Sequence, residues 1–560
     1  MTLGLLVGVL FQVIGGLGIF LLGMKNMSEG MQAVSGGSLR KLISAVTKNR
    51  LVAIAVGTLV TCIIQSSSVT TVMVVGLVNS GLMTLMQAIG VIFGANIGTT
   101  ITGWILTLKI GKYGLPILGV AALFFLFSKK EKVRYTAMAL VGIGMIFFGL
   151  ELMSSGFSPL RSVPEFESWV SAFQADHYFG VMKCALVGCL LTMIVQSSSA
   201  MLGVTMGMAG TGLISFQTAA ALVLGENIGT TITAILASLG ANANAKRAAY
   251  AHMIFNVLGV LWITALFPHY LRLIQAILPN DPSATVLREG IPAYPHVMAG
   301  IAAVHTGFNV INTLLFIPFM PLLARLVSRM VPEKGVQEIP HLTHLDVRML
   351  DTPALSIEQS RREVLYMAQT VLKMMNWLRE VWTSGVPNPE LEQKIFRGEE
   401  TLDTVQREIT EFLGRLIAAR VTHEVSRESH IQFRIADEYE SVSDYIATLL
   451  KLIKKLGDKK LKLSDEGRQE LLALHDKVTE YLVMVNEGFE EGNPGILNHA
   501  YAEGKVITIQ SKQYRDEHLE RVSQEKVSPL VSLIFTDMLS AYRRIKDHAL
   551  NIAEAVAGQK

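Results

Sequence analysis

The chain has 560 residues, 50% of them apolar, with a mean hydropathy of +0.41, 17% charged residues and a formal net charge of +3. That composition excludes a disordered or collagen-like chain and argues against an ordinary soluble enzyme. The average conceals two unlike pieces: 19 Lys and Arg against 9 Asp and Glu up to Met330, then 30 against 37 after it. The first is too poor in charge for a water-facing surface, and the second is ordinary for a soluble helical domain. A membrane domain over 1–330, a linker over 331–355 and a soluble domain over 356–560 are expected.

In chain order, apolar stretches run at Leu3–Met24, Leu51–Val78, Leu82–Leu108, Leu115–Phe127, Tyr135–Leu152, Val181–Met208, Ala219–Leu239, Ala248–Phe267 and Met298–Leu323. A helix needs about 20 residues to cross a ~30 Å hydrocarbon core, and several of these suffice. The first has no basic flank and no small-residue cleavage site, so it is not read as a signal peptide. Others are cut by polar runs, Gln65–Ser68 and Asn96–Thr100 among them. In lipid such breaks survive only inside protein or beside a water-filled cavity. Cys62, Cys184 and Cys189 show neither disulfide nor zinc spacing.

The polar runs are duplicated. Gln65-Ser-Ser-Ser68 recurs as Gln196-Ser-Ser-Ser199, and Gly94-Ala-Asn-Ile-Gly-Thr-Thr-Ile-Thr102 as Gly225-Glu-Asn-Ile-Gly-Thr-Thr-Ile-Thr233, both at an offset of 131. Gly16, Gly23 and Met27 match Gly142, Gly149 and Met153 at an offset of 126. Ordered matches at nearly one spacing identify a duplicated membrane unit, about 4–128 and 135–265, with further helices to 323. A charged turn, Lys129–Arg134, separates the copies. A polar segment from Pro268 to Pro295 is expected outside the bilayer. Arg325 and Arg329 close the membrane part and, by the positive-inside tendency, assign the soluble domain to the cytoplasm.

Six amphipathic helices are predicted in the soluble part, at about Glu358–Thr383, Pro389–Ala419, Glu424–Leu456, Asp465–Glu491, Leu497–Val522 and Ser528–Val556. Val386–Pro389, Gly457-Asp458 and Gly492–Pro494 supply the breaks. Six helices with few β-branched runs point to two three-helix bundles, so the fold class is all-α throughout.

Four neutral polar breaks at membrane depth carry the chemistry. A single intramembrane Ser most simply serves close helix packing. A duplicated Gln-Ser-Ser-Ser, each copy followed about 30 residues on by Asn-Ile-Gly-Thr-Thr, instead supplies hydroxyls, amide oxygens and freed backbone groups, and paired breaks in corresponding halves mark a transporter site near the midplane. Na⁺ takes such oxygens, and an oxyanion takes such donors together with helix N-termini. His252/Asn256 and His305/Asn309 each place His and Asn at i and i+4 on one helix face, so they read either as satisfied packing residues or as path lining. Glu226, whose counterpart is Ala95, is an acidic residue at membrane depth and a functional residue by default; cation binding, a protonated neutral state and a turn toward water are all open to it.

These paired motifs resemble those of the type II sodium–phosphate cotransporters, and the resemblance covers about Gly4–Leu323. It implies an inverted repeat with two re-entrant hairpins. Inorganic phosphate and Na⁺ would be held by Gln65, Ser66, Ser67, Ser68, Gln196, Ser197, Ser198 and Ser199. Asn96, Thr99, Thr100, Asn227, Thr230 and Thr231, with Glu226, would support the site or bind Na⁺. No basic side chain lies in the motifs, so phosphate is held by hydroxyls, backbone N–H groups and co-bound Na⁺, which offsets its charge in low dielectric. The two repeats would rock about the site in alternating access.

Asp437–Tyr445 and Arg543–Glu554 resemble the signature helices of PhoU-like phosphate-signalling domains, over about Ser356–Ala557. The resemblance implies divalent-metal binding through carboxylates, and Glu399/Asp403 and Glu440/Asp444 keep its Glu-x-x-x-Asp spacing. A solvated charged face is the plainer reading of the same residues. The expectation is a multi-pass protein of the inner cell membrane, embedded in the lipid bilayer. It carries phosphate with Na⁺ and is regulated through a cytoplasmic partner or a homodimer, with no enzymatic activity and no nucleic-acid partner. The alternatives are a phosphate exporter, a carrier of another small anion, or a phosphate-sensing receptor.

Overall fold

Apolar helices packed through glycine fill the first half of the chain, and amphipathic helices packed through aliphatic stripes fill the second. The computed structural model describes residues 3–44, 49–79, 83–108, 111–163, 173–239, 241–288, 291–332, 345, 350, 352–384, 388–418, 421–524 and 527–559. They form two compact units, Met1–Gly335 and Val336–Lys560. Most of the expected linker over 331–355 lies outside the described residues, as do Val386 and Pro387 of the predicted break.

The first unit contains α1 (Leu3–Ser44), α2 (Arg50–Ile64), α3 (Ser67–Asn79), α4 (Leu85–Gly98), α5 (Thr100–Thr107), α6 (Gly111–Phe127) and α7 (Glu131–Phe157). After a 3₁₀ turn at Ser158–Ser162 come α8 (Tyr178–Val195), α9 (Ser198–Gly210), α10 (Phe216–Ala237), α11 (Ala243–Ala265) and α12 (Phe267–Ile277). Strands β1 (Val286–Arg288) and β2 (Ile291–Ala293) pair antiparallel, and α13 (Val297–Phe316) and α14 (Met320–Met330) finish the unit. The small sheet is the one departure from the all-α expectation among the described residues. It lies in the segment that the sequence marks as polar, where Pro282, Pro292 and Pro295 disfavour helix. Seven helical spans among the described residues are long and apolar enough to cross a membrane: Val7–Ser35, Leu85–Thr107, Glu131–Leu160, Tyr178–Val195, Phe216–Ala237, Ala243–Ala265 and Val297–Met330. The chain is thus a multi-pass membrane protein.

Duplicated glycines set the packing. A Cβ on Gly16 would stand 2.8 Å from the Gly149 carbonyl, and one on Gly23 would stand 2.7 Å from that of Gly142. Helices α1 and α7 therefore run antiparallel, and each residue meets the counterpart of the other. Within each copy the helix before the Gln-Ser-Ser-Ser run packs on the helix of the Asn-Ile-Gly-Thr-Thr run, α2 on α4 and α8 on α10. The contact is backbone to backbone: a Cβ on Gly94 would lie 2.0 Å from the Ile54 carbonyl, and one on Gly225 would lie 1.8 Å from that of Ala185. Ile54 and Ala185 are themselves 131 apart, so the copies share one packing geometry. Gly225→Ala should therefore lower stability by about 1–3 kcal/mol by forcing α8 and α10 apart. A fall in melting temperature in detergent checks this. Gly119→Ala, where a Cβ meets nothing within 4 Å, should be neutral or mildly stabilising.

The second unit consists of α15 (Pro353–Ser384), α16 (Pro389–Ala418), α17 (His423–Asp458), α18 (Asp465–Glu491), α19 (Ile496–Ser523) and α20 (Pro529–Val556). Ser464, Thr422 and Ser528 cap their helices by accepting the N–H groups of Gly467, Val425 and Val531, and Gly492 ends α18 in the left-handed region. Helices α15, α16 and α17 pack mutually, as do α18, α19 and α20, with α17 on α20 and α15 on α18 joining the triples. One aliphatic and aromatic core, including Met367, Leu402, Tyr439, Leu474 and Tyr542, runs through all of them.

Candidate functional site

Each Gln-Ser-Ser-Ser run breaks an apolar helix in the same way. Gln65 (φ 59°, ψ 22°) and Gln196 (φ 57°, ψ 24°) are left-handed C-caps of α2 and α8, and their N–H groups return to the carbonyls of Thr61 and Thr192, each at 2.7 Å. Lys460 is the one other non-glycine residue with positive φ among the described residues. Such a backbone costs about 1–2 kcal/mol, and strain of this kind gathers at functional sites. The next helices begin at once: Ser66 Oγ accepts from the Val69 N–H and Ser197 Oγ from that of Ala200, both at 3.2 Å. The hydroxyls of Ser67, Ser68, Ser198 and Ser199 make no hydrogen bond to another described residue, and they stand in the first turns of α3 and α9, beside unpaired N–H groups.

The copies differ in one latch. Gln65 is buried, its Nε2 donates to the Cys62 carbonyl at 2.5 Å, and its Oε1 accepts from Thr102 Oγ1 at 3.1 Å. Gln196 is exposed, and Thr233, the counterpart of Thr102, donates instead to the Thr230 carbonyl at 2.9 Å.

The serine-led helix of each copy packs on the other copy's Asn-Ile-Gly-Thr-Thr element: α3 on α10, and α9 on α5. In those elements Asn96 and Asn227 spend their amide N–H on the Ile92 and Val223 carbonyls, each at 2.8 Å, which leaves both Oδ1 atoms as acceptors. Thr100, Thr230 and Thr231 turn back to the carbonyls of Ile97, Glu226 and Ile228, and buried Thr99 forms the bend between α4 and α5. Asn227 Oδ1 accepts from Asn309 Nδ2 at 3.2 Å and faces His305 Nε2 at 3.3 Å. An acceptor there requires the proton on Nε2, so His305 Nδ1 is left as a second acceptor. That atom is buried without a partner among the described residues, as are Asn309 Oδ1, Asn256 Oδ1 and both ring nitrogens of His252. Two helices thus present buried acceptors that a packing role leaves unsatisfied.

Glu226 is 2% exposed and accepts from Thr205 Oγ1 at 2.8 Å. Thr205 and Glu226 stand where the first copy has Val74 and Ala95, so the pair is a polar insertion peculiar to the second copy. The water-facing alternative for Glu226 is excluded, because neighbouring helices enclose the carboxylate.

The sequence model of the Na⁺/Pi-cotransporter family matches residues 19–155 and 163–278, and each stretch holds one Gln-Ser-Ser-Ser run and one Asn-Ile-Gly-Thr-Thr run. Protein YqeW of Bacillus subtilis, itself uncharacterised, is 30% identical over 315 residues, 56% of this chain and 96% of its own length. The chain belongs to the Na⁺/Pi-cotransporter family. A Salmonella typhimurium relative, provisionally named inorganic phosphate export protein YjbB, is 26% identical over 558 residues, 98% of each chain. The human sodium-dependent phosphate transport protein 2B is 38% identical over 104 residues, 18% of this chain and 15% of its own. No solved structure matches.

In the second unit of this Na⁺/Pi-cotransporter family member, Glu399, Asp403, Glu440 and Asp444 line one cavity of about 490 Å³ with Arg397. Burial, then the nearby Asp444, pushes the carboxyls of Glu399 and Glu440 above their usual range. The divalent-metal expectation is not met: among the described residues no three His, Cys, Asp or Glu side chains come close enough to hold one ion. The two Glu-x-x-x-Asp steps lie on the antiparallel neighbours α16 and α17, as the Gln406–Asp437 and Glu392–Lys454 contacts show, and they set four acids around an open cavity rather than on one point.

Three site contacts escaped the sequence. Thr205 is invisible in the repeat because its counterpart is Val74. Thr61 and Thr192 were legible as a pair 131 apart; Thr61 bonds Thr70 at 3.0 Å, whereas Thr192 Oγ1 is buried without a partner among the described residues. Asn242, the N-cap of α11, donates its N–H at 2.8 Å and its amide at 2.7 Å to Asn79, at the end of α3. No short-range signal pairs two such distant asparagines.

Proposed function

We propose that this protein carries inorganic phosphate across the inner membrane with Na⁺ by alternating access, and that phosphate is held by the first turns of α3 and α9. The two left-handed glutamines carry the reading. Each ends one helix and starts another at membrane depth, so that free serine hydroxyls and unpaired N–H groups meet the positive end of a helix dipole, a ready anion site. Na⁺ would be held by Asn96, Asn227, the threonines and Glu226, with His252, Asn256, His305 and Asn309 lining the path. The reciprocal pairing of Gly16 with Gly149 and Gly23 with Gly142 supports an inverted repeat, since a two-fold axis in the membrane plane generates that pattern. The latch supports alternation: Gln65 is held by Thr102 while Gln196 is free, and exchange of those states between copies would move access from one side to the other.

Outward flux is the second reading, favoured by relatives that match over 98% of both chains and are named for phosphate export. The deciding experiment is ³²P-phosphate flux in proteoliposomes under Na⁺ gradients of either direction, with arsenate and sulfate as competitors. Flux that follows the Na⁺ gradient is expected. Flux indifferent to replacement of Na⁺ by choline would overturn the coupling, and phosphate binding without flux would support the receptor reading.

The second unit is proposed as a cytoplasmic PhoU-like regulator, on its two packed triples of helices. Truncation after Pro332 should leave phosphate affinity within about twofold and change the flux rate. That end point keeps the Val331 carbonyl, which accepts from Arg247 Nε at 2.9 Å. Equilibrium binding and flux on the truncated and full chains check it.

A further inference from the structure

The second unit is acidic overall, yet one groove in it is lined by two arginines and two histidines. His423, Arg427, His430 and Arg434 follow one another at i, i+4, i+7 and i+11 on α17, so they share a single stripe along that helix. They line a concave groove of about 380 Å³ with Ser426 and, from α20, the small side chain of Ala555. The stripe starts in the first turn of α17, where the helix dipole adds positive potential.

Two carboxylates stand beside Arg434, and each has a hydrogen-bond donor of its own. Glu438 accepts from His548 Nδ1 at 2.7 Å and from Asn551 Nδ2 at 3.1 Å, and Glu554 accepts from the Tyr501 hydroxyl at 3.0 Å. Arg434 stands 3.9 Å and 3.7 Å from those two carboxylates, within ion-pair range but outside hydrogen-bond distance, so its guanidinium donors are held in place and unspent. Arg427 and His430 are exposed and have no partner among the described residues. Structural ion pairing therefore accounts for neither of them.

The length of the stripe selects the ligand. Eleven residues of helix rise about 16 Å, so one orthophosphate reaches two of the four side chains at most. The groove is small and concave, at the lower end of small-molecule sites. Two arginine forks separated by an imidazole match successive oxyanions on one short chain. We propose that this groove binds a small linear polyanion of linked phosphoryl groups, an inorganic oligophosphate or the phosphate tail of a nucleotide, distinct from the transported ion.

The test is hydrogen exchange on the full chain in nanodiscs of neutral lipid, with tripolyphosphate, ATP and orthophosphate as separate probes. Slower exchange over 423–434 is expected with tripolyphosphate at concentrations where orthophosphate gives none. An equal response to ATP makes the shared phosphoryl chain sufficient, and a stronger response to ATP assigns the nucleotide as the source. Arg427→Ala with His430→Ala should weaken the response about tenfold, and Arg427→Glu should abolish it, with melting unchanged because both side chains are exposed. Ser67→Ala, which addresses the transport site, should leave it intact, so the two assignments fail separately. No protection by any probe, equal protection by orthophosphate, or an undiminished response in Arg427→Glu would overturn the proposal.

Discussion

Ser67→Ala and Ser198→Ala, made singly in the full chain, should abolish sodium-driven phosphate uptake and leave the protein folded. Neither hydroxyl bonds another described residue, so its removal leaves no buried protein partner unsatisfied. Each lies in the first turn of a helix whose N-terminus is exposed by a left-handed glutamine. A hydrogen bond to a charged ligand is worth about 1.5–3 kcal/mol, so each deletion should weaken phosphate binding by about 10- to 150-fold. Ser66→Ala and Ser197→Ala should act less cleanly, since those hydroxyls also cap α3 and α9. Gln65→Ala and Gln196→Ala should both impair transport, and only the former breaks a latch, the bond from Thr102. Uptake at saturating Na⁺ paired with a thermal melt separates these outcomes. Normal uptake in all six variants would move the site away from the hairpins.

How far the sequence reached depended on the range of the interaction. The six helices of the second unit were legible to within about five residues, because a 3.6-residue apolar stripe and Pro or Gly breaks are local signals. The duplicated motifs were legible because identity at a fixed offset needs no three-dimensional knowledge. Gly94 and Gly225 appeared only as motif letters. That each meets the backbone of the helix before the Gln-Ser-Ser-Ser run follows from tertiary packing, which the motif does not encode. The enclosed setting of Glu226 was likewise beyond reach, since its partner Thr205 lies on another helix and has no counterpart in the first copy. The four acids of the second unit mark the opposite failure. Their spacing was read correctly, but spacing along two helices does not fix how far apart those helices hold the carboxyls.

The pair Thr205–Glu226 yields the sharpest separation of fold from coupling. Because the first copy builds the same packing with Val74 and Ala95, both fully buried, the fold itself does not require the polar pair. Thr205→Val alone should destabilise the protein by about 1–3 kcal/mol, since it strips a buried carboxylate of a hydrogen-bond donor. The double variant, Thr205→Val with Glu226→Ala, removes the carboxylate too and recreates the arrangement of the first copy. Replacing both members of a buried polar pair by apolar groups is often neutral or stabilising, so the double variant should melt at or above the wild-type temperature. Its transport should nonetheless change, because Glu226 is the one acidic side chain in the motifs and, on the proposed reading, the one that meets a cation. The expected result is a steep loss of Na⁺ activation and one charge fewer moved per phosphate, with Glu226→Gln showing the same shift. Uptake against Na⁺ concentration, recorded with membrane current, measures both quantities. A double variant that folds, transports and couples as the wild type does would assign Glu226 to neither Na⁺ nor the charge balance of the cycle.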